Sequence, residues 1–90
     1  MGMKFSIEER HLCDAAGKPV PHERATVFFH VFEAESADEA VRLYIRDTGA
    51  EVIGNVLKFP GFQAVATVRN PSGVYTLQVS PASGVRAPVT

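Results

Sequence analysis

The chain has 90 residues, enough for one hydrophobic core and too few for two, and its 46% hydrophobic and 21% charged content excludes wholesale disorder. A formal net charge of -1 excludes the broad electrostatic attraction that non-specific nucleic-acid binding depends on. The single cysteine, Cys13, excludes an internal disulfide, no apolar run approaches the roughly 20 residues of a membrane span and the N-terminus shows no secretory pattern, so a cytoplasmic protein with no membrane and no nucleic-acid partner is expected.

Lys4-Phe5-Ser6-Ile7-Glu8 alternates apolar and polar side chains, the period of a strand with one buried face, and the pattern extends toward Leu12. Asp14 to Arg24 then carries Gly17, Pro19 and Pro21 and reads as a long connection, the kind of segment in which function concentrates. Thr26 to Glu35 is the most apolar stretch of the chain. Alternation sends Val27, Phe29 and Val31 to one side and Phe28, His30 and Phe32 to the other, so both sides of this strand are expected to be covered.

Ser36 followed by Glu39 is a capping-box pattern, Asp38 and Glu39 suit the positive end of a helix dipole, and Gly49 is a stop signal. Between them Ala37, Ala40, Val41, Tyr44, Ile45 and Thr48 recur at helical spacing and form one stripe. Arg42, with Asp38 at i,i+4, and Arg46 fall away from the stripe and read as a solvated helix surface.

Beyond Gly49, Ala50 to Phe59 is rich in β-branched residues, with Gly54 as a candidate bulge, and Pro60-Gly61 suits a type II turn that folds Phe62 to Asn70 back. Pairing Phe59 with Phe62 places Leu57 opposite Ala64 and Ile53 opposite Val68. Asn70-Pro71-Ser72-Gly73 is a second turn, and Asn70 facing Gly73 aligns Val68 with Tyr75, Ala66 with Leu77 and Ala64 with Val79.

This order specifies an α+β, two-layer domain over residues 1–80. An antiparallel sheet of about five strands, in the sequence β-β-α-β-β-β, carries a single helix packed on one face, and residues 81–90 form a loose tail. The helix is expected to cover Ile53, Leu57, Phe59, Ala66, Val68, Tyr75 and Leu77. Val52, Val56, Val65, Thr67, Arg69, Val74, Thr76 and Gln78 then share the opposite face, with no second helix to hide them. An apolar face that large exceeds what a soluble monomer usually leaves open, so a homodimer is expected, with Val56, Val65, Thr67, Val74 and Thr76 in its interface.

Residues with chemistry are few. His30 lies among Phe28 and Phe32, and His30, His22 and His11 are the candidates for a ligand-binding or catalytic pocket at the sheet face or in the 14–24 loop. His11 and Cys13 on one strand would stand about 7 Å apart, but the His and Cys spacing matches no zinc-site pattern, so no metal and no cofactor is expected. No phosphate loop or nucleophile motif occurs. The function expected is that of a small homodimeric interaction or accessory module, with a possible protein partner and no catalysis. A small-molecule-binding or catalytic dimer is the alternative.

Overall fold

The computed structural model describes residues 2–21 and 27–82. Seven elements follow one another: β1 (Met3–Asp14), β2 (Val27–Ala34), α1 (Ala37–Thr48), β3 (Glu51–Val52), β4 (Leu57–Phe59), β5 (Gln63–Asn70) and β6 (Gly73–Pro81). The six strands form one antiparallel sheet in the order β2-β1-β6-β5-β3, with β4 also pairing β5, and the helix lies on one face. The fold is the α+β, two-layer class read from the sequence, with six strands rather than five because Ala50 to Phe59 is divided. Gly54, at φ 80°, stands in the break between β3 and β4.

The helix begins and ends as its caps dictate. The Glu39 N–H donates to Ser36 Oγ at 3.1 Å, and Gly49, at φ 74°, closes the last turn by donating its N–H to the Ile45 carbonyl at 2.8 Å. The Glu39 carboxylate reaches back to the Glu35 N–H, one residue before the cap itself. Ala37, Ala40, Val41 and Tyr44 are buried against the sheet. Beneath them lie Phe5 and Ile7 of β1, Ala64, Ala66 and Val68 of β5 and Leu77 and Val79 of β6, all fully buried. Small alanines on β5 let the helix approach where larger side chains would hold it off.

The β5–β6 hairpin has the expected register: Asn70 faces Gly73, Val68 faces Tyr75, Ala66 faces Leu77 and Ala64 faces Val79. The β4–β5 hairpin does not. Phe59 faces Gln63 and Leu57 faces Val65, because the loop holds three residues, Pro60, Gly61 and Phe62, and Phe62 takes a left-handed φ of 61°. A one-residue shift moves every side chain to the other face. Leu57 and Phe59 therefore share the open face with Val65 and are not covered by the helix. Val52 pairs with Val68 on the helix side, and Val56 lies near Val41 and Ile45 of α1, so neither belongs to the open face on which both were expected.

The connection after β1 is also tighter at its start than its length implies. Val20 donates to the Leu12 carbonyl, Cys13 bridges Pro19, and Asp14 Oδ1 accepts from the N–H groups of Ala16 and Lys18, both at 2.9 Å. The rest of the loop, residues 22–26, and all but the start of the expected tail fall outside the described residues.

Candidate functional site

β1 alternates Phe5, Ile7 and Glu9 toward the helix, which drives a carboxylate under α1. Glu9 is only 9% exposed. A carboxylate so placed costs several kcal/mol unless its oxygens are occupied, and here both are. Oε1 lies 2.9 Å from His30 Nε2 of β2, and Oε2 accepts the hydroxyl of Tyr44 from α1. An ionised carboxylate can only accept, so against it the Nε2–H of His30 is the donor. The His30 ring stands edge-on to Tyr44, with centroids 5.3 Å apart, and lies nearly parallel to Phe32 at 6.5 Å. Burial first, then the hydrogen bond to Glu9 and the negative charge on it, hold the Tyr44 phenol protonated far above its ordinary range.

The cluster pins three separate elements to one another. Among the described residues no serine, threonine or cysteine hydroxyl or thiol is hydrogen-bonded to His30, so the geometry supplies an oriented imidazole without a nucleophile.

His11 does not join this cluster. It lies four residues beyond Ile7, the β1 partner of His30, or about 13 Å by strand rise. Its ring stacks on Tyr75 with centroids 4.4 Å apart and planes 8° from parallel. Its Nε2 is buried without a hydrogen-bond partner and abuts Gly73, where an added Cβ would come within 2.9 Å of it. A register irregularity between His11 and Cys13 breaks the alternation that would have aligned imidazole and thiol. Among the described residues no group of three or more His, Cys, Asp or Glu side chains is placed to hold a metal ion. His22 lies outside the described residues.

Of the expected interface positions, Val65 and Thr67 on β5 and Val74 and Thr76 on β6 do share the open face, and all four are half-buried. The middle of that face is polar. Ser6, Glu8 and Arg10 of β1 alternate with the buried residues and stand beside Ser80, Gln78 and Thr76 of β6, and Arg10 Nη2 pairs with Glu8 Oε2 at 2.9 Å.

Apolar surface collects instead at the two margins. On one side Leu57, Phe59 and Phe62 are 55%, 48% and 61% exposed, and on the other Phe29 and Val31 of β2 are 67% and 60% exposed. Phe28, on the helix side of β2 but beyond the helix's cover, is also exposed.

β2 is thus not the sheet's centre but its edge, with β1 on one flank and nothing on the other among the described residues. Which backbone groups it leaves open follows from the ladder. Ala82 donates to the Lys4 carbonyl, so the even-numbered residues of β1 point to β6 and Phe5, Ile7 and Glu9 point to β2. Their partners Phe32, His30 and Phe28 point back, leaving the N–H and C=O groups of Val27, Phe29, Val31 and Glu33 directed outward from the sheet.

The sequence could have yielded Glu9 and Tyr44 as partners of His30. A carboxylate on the apolar phase of a strand and a tyrosine in the apolar stripe of the helix each need a buried polar partner. Comparison of the chain with protein-family models, with curated proteins and with solved structures finds no match.

Proposed function

We propose that this protein is a small homodimeric interaction module that self-associates through the edge of β2. The single observation that carries the reading is an eight-residue edge strand, Val27–Ala34, with exposed aromatic side chains and no strand or helix along its outer side among the described residues. Natural edges are blunted by lysine, proline, bulges or shortness. The opposite margin is blunted in this way, since β3 has two residues, β4 has three, and Lys58 sits in the middle of β4. β2 has no lysine, no proline and no bulge against β1.

An antiparallel pair of two β2 strands closes on itself by two-fold symmetry, whereas β2 pairing with the other margin would propagate. Outward-directed residues must face one another. Centring the two-fold axis on His30 satisfies the most backbone groups: Phe29 pairs with the second copy's Val31 and Val27 with the second copy's Glu33. Phe28 then meets the second copy's Phe32 on the helix side, and aromatic cross-strand pairs of this kind contribute about 0.2–1 kcal/mol each. Both helices lie on the same face of the joined sheet. No catalytic step is assigned to the Glu9–His30–Tyr44 cluster, which fixes β2 to β1 and α1 and so keeps the edge straight.

Light scattering coupled to size exclusion tests this directly. The protein is expected to elute at twice the 9.7 kDa chain mass, and Phe29→Lys at the monomer mass with an unchanged far-UV spectrum. On a Cys13→Ser background, Phe29→Cys mixed with Val31→Cys is expected to cross-link under oxidation while neither does so alone. A monomeric wild-type chain overturns the reading, and a dimer that Phe29→Lys leaves intact overturns the β2 interface.

A further inference from the structure

A second site lies on the other side of the helix. Val41 and Ile45 of α1, Val52 of β3 and Val56 in the segment before β4 form the floor of an open groove of about 420 Å3, rimmed by Arg42, Arg46 and Asp38. That volume is in the range of small-molecule sites, roughly 300–1,000 Å3. The rim departs from the i,i+4 pairing that the sequence suggests. Asp38 Oδ2 is held 2.7 Å from Lys58 Nζ, and Arg42 has no ion pair among the described residues. The neighbouring acids are committed elsewhere as well: Glu39 to the Glu35 N–H, and Glu51 to Arg69 at 3.4 Å. Asp47 stands about 100° round the helix from Arg46, away from the groove.

Two adjacent guanidinium groups without ion-pair partners among the described residues thus flank an apolar trough closed at one end by a neutralised pair. We propose that this groove binds an amphiphilic anion, a carboxylate carrying an alkyl or aryl body, with the charged head on Arg42 and Arg46 and the body on Val41, Ile45, Val52 and Val56. A guanidinium matches a carboxylate in planar, two-point geometry, and an uncharged amphiphile would gain only the trough. The site is separate from the β2 edge, because the groove opens between α1 and the β3–β4 segment at the other margin of the sheet.

Octanoate is the probe, with octanol and acetate as its two halves, followed by amide and methyl chemical shifts at low ionic strength. Octanoate is expected to shift Val41, Ile45, Val52 and Val56 saturably, with a dissociation constant at or below about 1 mM. Octanol should reach the same residues at least about fivefold more weakly, and acetate should not saturate. Arg42→Gln/Arg46→Gln is expected to lower octanoate affinity to the level of octanol and to leave octanol unchanged. Ile45→Gln should weaken both, its fold being checked by the dispersion of the amide spectrum. Equal binding of octanoate and octanol, no saturable shift with octanoate, or shifts centred on Phe28, Phe29 and Val31 would each overturn the proposal. The oligomeric mass, measured alongside, reports on the β2 reading separately.

Discussion

Tyr44→Phe isolates one bond of the buried cluster. The ring is fully buried and keeps its edge contact with His30, so the substitution removes a hydroxyl without opening a cavity larger than one oxygen atom. What is lost is the hydrogen bond to Glu9 Oε2, and what is left is a carboxylate oxygen without a donor in a residue 9% exposed. Hydrogen bonds to charged groups contribute about 1.5–3 kcal/mol, so the expected destabilisation is about 2 kcal/mol, or a drop in Tm of about 8–16 °C for a domain of this size. Urea titration at fixed protein concentration measures it, with the m-value unchanged if only the native state is affected. A loss below about 0.5 kcal/mol would refute the reasoning.

The alkaline limb gives a second readout of the same bond. The native phenol holds its proton to higher pH than an unfolded tyrosine, whose pKa is about 10. The stability it confers is therefore complete below pH 10 and is lost as pH rises above that value, where the unfolded chain releases a proton that the native state retains. Tyr44→Phe should lose less stability than the wild type over that range.

Two further substitutions test the turns. Phe62→Gly should raise the unfolding free energy measured by urea titration by up to about 1 kcal/mol, because the left-handed backbone at Phe62 costs a non-glycine residue about 1–2 kcal/mol and the ring is 61% exposed; a lower unfolding free energy would mean that the ring packs on its neighbours. Gly73→Ala should cost about 3 kcal/mol or more, visible as a collapse of Tm, since a Cβ there would stand 2.0 Å from the Cys13 carbonyl oxygen and φ is 135°. A change within 1 kcal/mol would contradict the close approach of β1 and β6 at that turn.

Local signals carried the helix and the β5–β6 hairpin. Ser36, Glu39 and Gly49 act on backbone groups within a few residues, and Asn70-Pro71-Ser72-Gly73 closes a loop whose length leaves no choice of register. The β4–β5 loop failed by one residue because Pro60-Gly61 describes the turn centre equally well with Phe62 inside the loop or outside it. A bulky residue at positive φ is also not something composition suggests. Strand order was illegible for a different reason. Val27 to Phe32 has the two-sided apolar pattern of a central strand, yet it is an edge, and the residues that make it so are distant in sequence. The Glu9–His30–Tyr44 contact needs that order, because it joins neighbouring strands and the helix above them, whereas alternation alone states only that each residue faces inward.

The shifted register and the edge position together change which kind of self-association is physically cheaper. A face-to-face dimer through Val65, Thr67, Val74 and Thr76 would have to strip water from Arg10, Glu8 and Gln78, which occupy the same face between the apolar margins. Glu8 and Arg10 are half-exposed and pair with each other, so burying them removes solvation that their mutual attraction does not return in full. Pairing along β2 leaves that polar centre wet. It satisfies the outward N–H and C=O groups of Val27, Phe29, Val31 and Glu33 and removes Phe28, Phe29 and Val31 from water, with Glu33 at the strand's end as the one ionisable side chain on the outward row. Glu33 of each copy would then lie beside Val27 of the other, on the open face, with Lys4 across from it in its own sheet and the other copy's Arg10 one strand beyond Val27, so this acid sits between two basic side chains. Reversing the sign of that acid with Glu33→Lys should weaken the proposed dimer, read as a shift of the light-scattering mass toward that of the monomer with an unchanged far-UV spectrum, and a mass that stays at the dimer value would refute the β2 pairing.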